Sequence, residues 1–268
     1  MKKILLLAAS VVCGMSAFAG TPAEGVVQKL HKSEVCHSLC FPETKTEELG
    51  EYLKAELRLV IPETIDGKHS SVLQQRLIYK VFGYKEALTW EQAIEKFNNT
   101  SFNEKFFSLF KEVSTDRKGM NVYQKTASMD SVVRVGNLCS FRLESYLYTG
   151  GAHGDSGVEY VNYDCNADKV VLLQTLLTDK GAAKNIILKA IVKELGLASV
   201  AELKSSRGVD TAKFQVPNNF YTDKDHVIFV FNTYELGGCF ADGKSEVKVS
   251  KNSLKPILTP YGKQLLMK

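Results

Sequence analysis

A chain of 268 residues, 44% of them apolar, is long enough to bury one sizeable core or two small ones sharing a sheet. Its formal charge of +4 is mild, its lysines are scattered, and no basic block is interleaved with aromatics, so nucleic-acid binding has no footprint here. After the first twenty residues no stretch is apolar and long enough to be read as a membrane span.

Residues 1–19 read as a secretory signal peptide. Lys2 and Lys3 open it, Ile4 to Val12 form a short apolar run, and Ala17 and Ala19 flank a cleavable bond before Gly20. Lipid attachment at Cys13 would want a small residue before it, and Val12 stands there. The mature protein is therefore expected to be periplasmic or secreted, with no membrane span of its own. The remainder divides into an amino-terminal α/β module, residues 20–118, and a carboxy-terminal α+β module, residues 119–268. With no internal repeat or low-complexity linker between them, the two are expected to pack together.

From Glu51, Leu53, Ala55, Leu57, Leu59 and Ile61 alternate with Lys54, Glu56 and Arg58, which predicts a half-buried strand ended by Pro62. A helical period follows, with Val72, Leu73, Leu77, Ile78 and Val81 on one side, Ser70 or Ser71 as start cap and Gly83 as stop. Thr89 and Gln92 form a capping box for a second helix carrying Trp90, Ile94 and Phe97. The stretch 98–101 is expected to interrupt that pattern before Phe102, Phe106, Leu109 and Phe110 resume it as core. Strands are predicted over 120–127, 130–137, 138–148 and 157–173, the last bent at Asn166 to Lys169. A third helix spans 180–196, with Ile187 and Ile191 on its apolar side and Gly196 as its stop. Strands at 226–239 and 245–250 close the sheet. The order predicts an α+β fold, a largely antiparallel curved sheet with about three helices packed on it.

Five cysteines remain after the signal: Cys36, Cys40, Cys139, Cys165 and Cys239. In an oxidising space they favour disulfides, and an odd number leaves at least one over. If the strand before Gly150 folds back on the strand after Gly157, residues whose numbers sum to about 304 face each other. Cys139 and Cys165 satisfy that sum and are the expected bridge. His37, between Cys36 and Cys40, fits no standard zinc ligand set, and no metal or other cofactor is expected.

The least ordinary stretch is "SYLYTGGAHGDSG", Ser145 to Gly157. Gly150 and Gly151 suit a sharp strand exit, and Gly154 after His153 would let the backbone approach a neighbour closely. The plain reading is a wide hairpin connection whose imidazole bonds nearby backbone. Catalysis by His153 would need a hydroxyl such as Ser145, Thr149 or Ser156 and an orienting carboxylate, and no G-x-S-x-G elbow occurs. Asp164, Asn166 and Asp168 alternate like the opening of a calcium loop, but Lys169 and Thr175 stand where its glycine and bidentate acid belong, so a turn is expected. Near the end of an apolar strand, "FNTYELGG" places Asn232, Thr233, Tyr234 and Glu235, with Tyr146, Tyr148 and Tyr160 on neighbouring strands.

The segments "YTGGAHG", "NYDCNADKVVLLQTLL" and "FYTDKDHVIFVFNTYELGGCFADGKSEVKVSKNSLKPIL" resemble a family of exported bacterial domains described as of unknown function. That domain type occurs in the extracellular part of the lysozyme-sensing anti-sigma factor, beside the catalytic domain of a peptidoglycan deacetylase, and in a secreted mycobacterial antigen. The earlier "ELRLVIPETIDGKHSSVLQQRLIYKVFG" resembles the family's amino-terminal companion module, so the likeness spans residues 51–258. Gly154 departs from the pattern, where the family often has proline. The resemblance implies an α+β fold and an envelope location, and it carries over no catalytic set.

Together these readings predict a non-enzymatic exported binding module that recognises an envelope component, a peptidoglycan fragment among them, or a secreted protein such as a lysozyme-like hydrolase. Its expected ligand surface holds Tyr148, His153, Tyr234 and Glu235. The rival readings are a weak esterase or envelope-modifying hydrolase using His153, and a structural envelope protein.

Overall fold

The computed structural model describes residues 23–39, 51–100, 122–148, 152–236 and 243–267. The signal segment, Phe102 to Phe110, the Gly150–Gly151 turn, Cys40 and Cys239 lie outside them.

The fold is α+β, as expected, but it has two sheets rather than one. Strands β1 (Val26–Leu39), β2 (Glu51–Ile65), β3 (Val122–Val135), β4 (Leu138–Tyr148), β5 (Asp155–Asp164) and β6 (Lys169–Val171) lie side by side in chain order. Every neighbouring pair is antiparallel except β2 and β3, which run parallel. Strands β7 (Phe220–Thr222), β8 (His226–Phe231) and β9 (Ser245–Ser250) do not close that sheet; they form a second, antiparallel one.

The β2 alternation is realised: Ala55, Leu57, Leu59 and Ile61 are buried against helices α1 (Ser71–Phe82) and α2 (Trp90–Thr100). Pro62 does not end the strand. The register with β1 shifts there, and a bulge accommodates a residue that has no N–H to give the ladder. Helix α1 begins at Ser70, whose Oγ accepts from the Leu73 N–H at 3.0 Å, and stops at Gly83 with φ +77°. The α2 capping box is present: the Thr89 N–H donates to Gln92 Oε1 at 2.9 Å, and the Gln92 N–H to Thr89 Oγ1 at 3.3 Å. The helix runs on through Asn98 and Asn99, where an interruption was expected. The two strands predicted over 120–137 are one, β3, bulged between Met129 and Ser131.

Seven α-helices occur among the described residues. Beyond α1, α2 and the predicted third helix, α4 (Lys180–Glu194), they are the short α3 (Leu173–Leu176), α5 (Glu202–Arg207), α6 (Lys251–Leu254) and α7 (Pro260–Leu266). These four have at most seven residues, too few to fill the window over which a helical period can be read from sequence. Among the described residues no helix is long and apolar enough to cross a membrane. The inner face of the large sheet with α1 and α2 forms one core, around Phe97, Met129 and Phe141. The small sheet with α4 and the carboxy-terminal helices forms another, around Ile187, Phe220 and Phe229.

The Cys139–Cys165 bridge expected from the hairpin is not formed. Strand β4 pairs Cys139 with Tyr163, and the ladder ends at Leu138–Asp164, so Cys165 sits just beyond it in the turn. Its thiol still reaches Cys139 from there: the Sγ atoms are 3.0 Å apart, both thiols free and hydrogen-bonded to each other. In the same turn Asp164 Oδ1 accepts from the N–H groups of Asn166 and Ala167, which is turn chemistry.

The two sheets meet through asparagines. Strand β6 covers β5 only from Asn162 to Asp164, so the earlier part of the β5 edge has no strand beside it. Asn219 takes that place: its Nδ2 donates to the Val158 carbonyl at 2.7 Å and its Oδ1 accepts from the Tyr160 N–H at 3.0 Å. Asn232 Oδ1 accepts from the Val158 N–H at 2.7 Å, and Asn162 Nδ2 donates to the Phe220 carbonyl at 2.7 Å. The Tyr160 and Tyr221 rings stack beside them, centroids 4.6 Å apart. Removing either side chain strands backbone groups in a partly buried place, so Asn219→Ala and Asn232→Ala are each expected to cost about 1–3 kcal/mol. Urea unfolding would read this as a lower midpoint at unchanged slope, with the exposed Asn252→Ala within about 0.5 kcal/mol of the parent.

Candidate functional site

Strands β4 and β5 pair up to Leu147–Asp155, leaving residues 149–154 to connect them. The close approach expected at Gly154 is real. A Cβ built there would fall inside the Tyr146 ring and hydroxyl, so no residue with a side chain fits without moving that tyrosine. His153 is exposed, and its Nδ1 lies 3.2 Å from the Gly154 carbonyl, which accepts from it.

On the other side of the same end, Asn232 to Leu236 form a tight turn after β8. The Glu235 N–H donates to the Asn232 carbonyl at 3.0 Å, and Glu235 Oε2 accepts from the Asn232 N–H at 2.7 Å. Tyr234 takes φ +70°, a conformation that a side chain adopts at a cost, and is 54% exposed. Because Asn232 is bonded to β5, this turn is held against the β4–β5 end.

Between them lies an open cleft of about 520 Å³. Glu235 lines it together with Thr233, Tyr146, Asp155 and Ser156. Tyr148, His153 and Tyr234 are not among its lining residues. Tyr148 closes β4 opposite Gln124, and Tyr234 lines a small recess with Leu195 and Arg207. Thr233 and Asp155 both belong to stretches the sequence marks out, Phe231–Gly238 and Ser145–Gly157, but only the pairing of β4 with β5 and the docking of β8 bring the two together.

Charge around the cleft is organised. Lys125, mostly buried in its lining, has its pKa lowered by that burial, and its Nζ lies 5.2 Å from the Phe97 ring centroid. Arg142 donates to Asp130 at 3.0 Å and to Glu144 at 3.1 Å, and Lys244 donates to Glu144 at 3.0 Å. Burial alone would raise the Glu144 carboxyl, but the hydrogen bonds and charges of Lys244 and Arg142 outweigh it and hold its pKa below the ordinary value. Burial pushes the Tyr160 phenol up to about 12. No group of three or more His, Cys, Asp or Glu side chains placed to hold a metal ion occurs among the described residues.

Residues 174–252 match a family described as proteins of unknown function, DUF3298. No curated protein matches the chain. Among solved structures, a member of the DUF3298 family from Bacteroides fragilis NCTC 9343 superimposes with a TM-score of 0.68 at 18% identity, over 91% of this chain and 99% of its own. A DUF3298 family protein from Pseudomonas aeruginosa PAO1 superimposes with a TM-score of 0.56, also at 18% identity, over 88% and 95%. Likeness at that identity is likeness of fold, and it spans both cores. The matched segment runs from α3 to α6 and so includes the Asn232–Glu235 turn.

Gly154→Ala is expected to destabilise the protein by about 1–3 kcal/mol through the clash with Tyr146. Combining it with Tyr146→Ala should cost less than the two single losses added together, which a double-mutant cycle of unfolding free energies would measure.

Proposed function

We propose that this protein is an exported, non-enzymatic binding module that recognises a peptidoglycan fragment or a secreted protein at the strand-end cleft. The observation that carries this reading is the make-up of the cleft. Two carboxylates, Asp155 and Glu235, and the hydroxyls of Tyr146, Ser156 and Thr233 converge beside the apolar Leu147 and Val81. Convergent polar groups set against apolar ones are what a recognition site needs. Residues 1–19 support export, and the resemblance to exported envelope domains supports the location. Titration of the purified protein with peptidoglycan fragments and with lysozymes is the test. Saturable binding that Asp155→Asn and Ser156→Ala each weaken about tenfold is expected; no binding to any of them at millimolar concentration would end the proposal.

An oxidising location has a chemical consequence for the cysteine pair. Half-exposed Cys165 would exchange with a small disulfide such as oxidised glutathione, and Cys139 would then displace the glutathione thiolate from it. Two protein thiols are oxidised to one bond while one glutathione disulfide is reduced to two thiols. Peptide mapping after such treatment should show residues 139 and 165 joined with the loss of two hydrogens, and no such species in Cys165→Ser. Two thiols still open to alkylation would contradict it.

A further inference from the structure

Strand β1 is polar on both faces, including the one that should be apolar. Its partners across β2 place Lys29 beside Ile61, His31 beside Leu59 and Ser33 beside Leu57, on the sheet face that α1 and α2 cover. Leu30, on the opposite face, is 53% exposed. A covered face is normally the apolar one, and a local break in that pattern marks a position that serves something other than the core.

What the polar side chains face is an open groove of about 610 Å³ between β1 and α2. Ile61, Pro62, Trp90 and Ile94 give it an apolar floor. Two buried nitrogens of its lining residues, His31 Nε2 and Trp90 Nε1, have no hydrogen-bond partner among the described residues. Groups of this kind want a partner, an ordered water or a ligand group that the side chains shift to meet. Burial, reinforced by the charge of Lys29, lowers the pKa of His31, so this ring is neutral at pH 7.

The charges of the lining decide the ligand class. Glu63, Glu91 and Glu95 stand against the single ammonium of Lys29, so a phosphate or other anion would be repelled. A cationic amine would suit the carboxylates, but it brings only donors and would leave the Trp90 N–H unanswered. A neutral ligand bearing hydroxyls and amide carbonyls meets both needs. Hydroxyls donate to the carboxylates, a carbonyl accepts from the indole, and the side-chain amides of Asn98 and Asn99 can pair with an acetamido group. We infer that this groove binds a neutral saccharide carrying hydroxyl and acetamido groups. It shares no lining residue with the strand-end cleft, so the two sites stand or fall separately.

The chain has one tryptophan, Trp90, so indole emission, excited selectively at wavelengths the eleven tyrosines do not absorb, reports on this groove. Titrating the full chain with N,N′-diacetylchitobiose is expected to give a saturable change in that emission. Cellobiose and the de-N-acetylated disaccharide should bind at least about tenfold more weakly, the difference made by losing one well-placed hydrogen bond. His31→Phe should weaken the acetylated sugar about tenfold, with Asn98→Ala as a second variant should the first not fold by circular dichroism. No saturable change at millimolar sugar would overturn the inference. So would equal or tighter binding of the de-N-acetylated disaccharide or of inorganic phosphate.

Discussion

A strand that stops being paired halfway along its length leaves backbone donors and acceptors that something must satisfy. In this molecule that obligation falls on the edge of β5, and asparagine amides meet it. A side-chain amide has one acceptor and one donor group at nearly the spacing of a peptide unit, so Asn219 can do for Val158 and Tyr160 what a neighbouring strand would do. The arrangement lets the second sheet attach to the first without extending it. It also sets where the turn after β8 lies, because Asn232 belongs to both the turn and the edge. The strand-end cleft is a product of that attachment: one wall comes from the hairpin end, the other from a turn held to the hairpin by its first residue.

The cleft and the β1–α2 groove arise by different means. One is made by docking two sheets, the other by leaving polar residues where a core would continue. Next to each of them the chain accepts a local cost in stability. Tyr234 takes a left-handed conformation, and His31 and Trp90 each bury a nitrogen that has no partner among the described residues. Such expense concentrates at places that bind.

Much of the local structure was legible from residues alone. The α1 and α2 caps, the β2 alternation, the β4–β5 hairpin and the Gly154 approach all follow from short-range chemistry that a sequence displays. The rest depends on partners distant in the chain. Nothing near Asn219 announces that it will cap a strand some sixty positions earlier, and a two-residue change in hairpin register is enough to move Cys165 out of the ladder. Strand β1 escaped notice for a sharper reason. Its covered face reads lysine, histidine, serine, so the alternation that reveals a half-buried strand is missing where the groove needs it to be missing.

At its other margin the large sheet ends, among the described residues, on β1, fourteen residues long. A long outermost strand is a template on which a second molecule can build. Here Lys29, Lys32 and Glu34 punctuate it, and Glu34 is tied to Lys54 on the next strand at 3.2 Å. An incoming chain would have to desolvate those charges to add itself. One flank of the sheet is thus closed by amides and the other guarded by ions, which opposes growth into a fibre from either side.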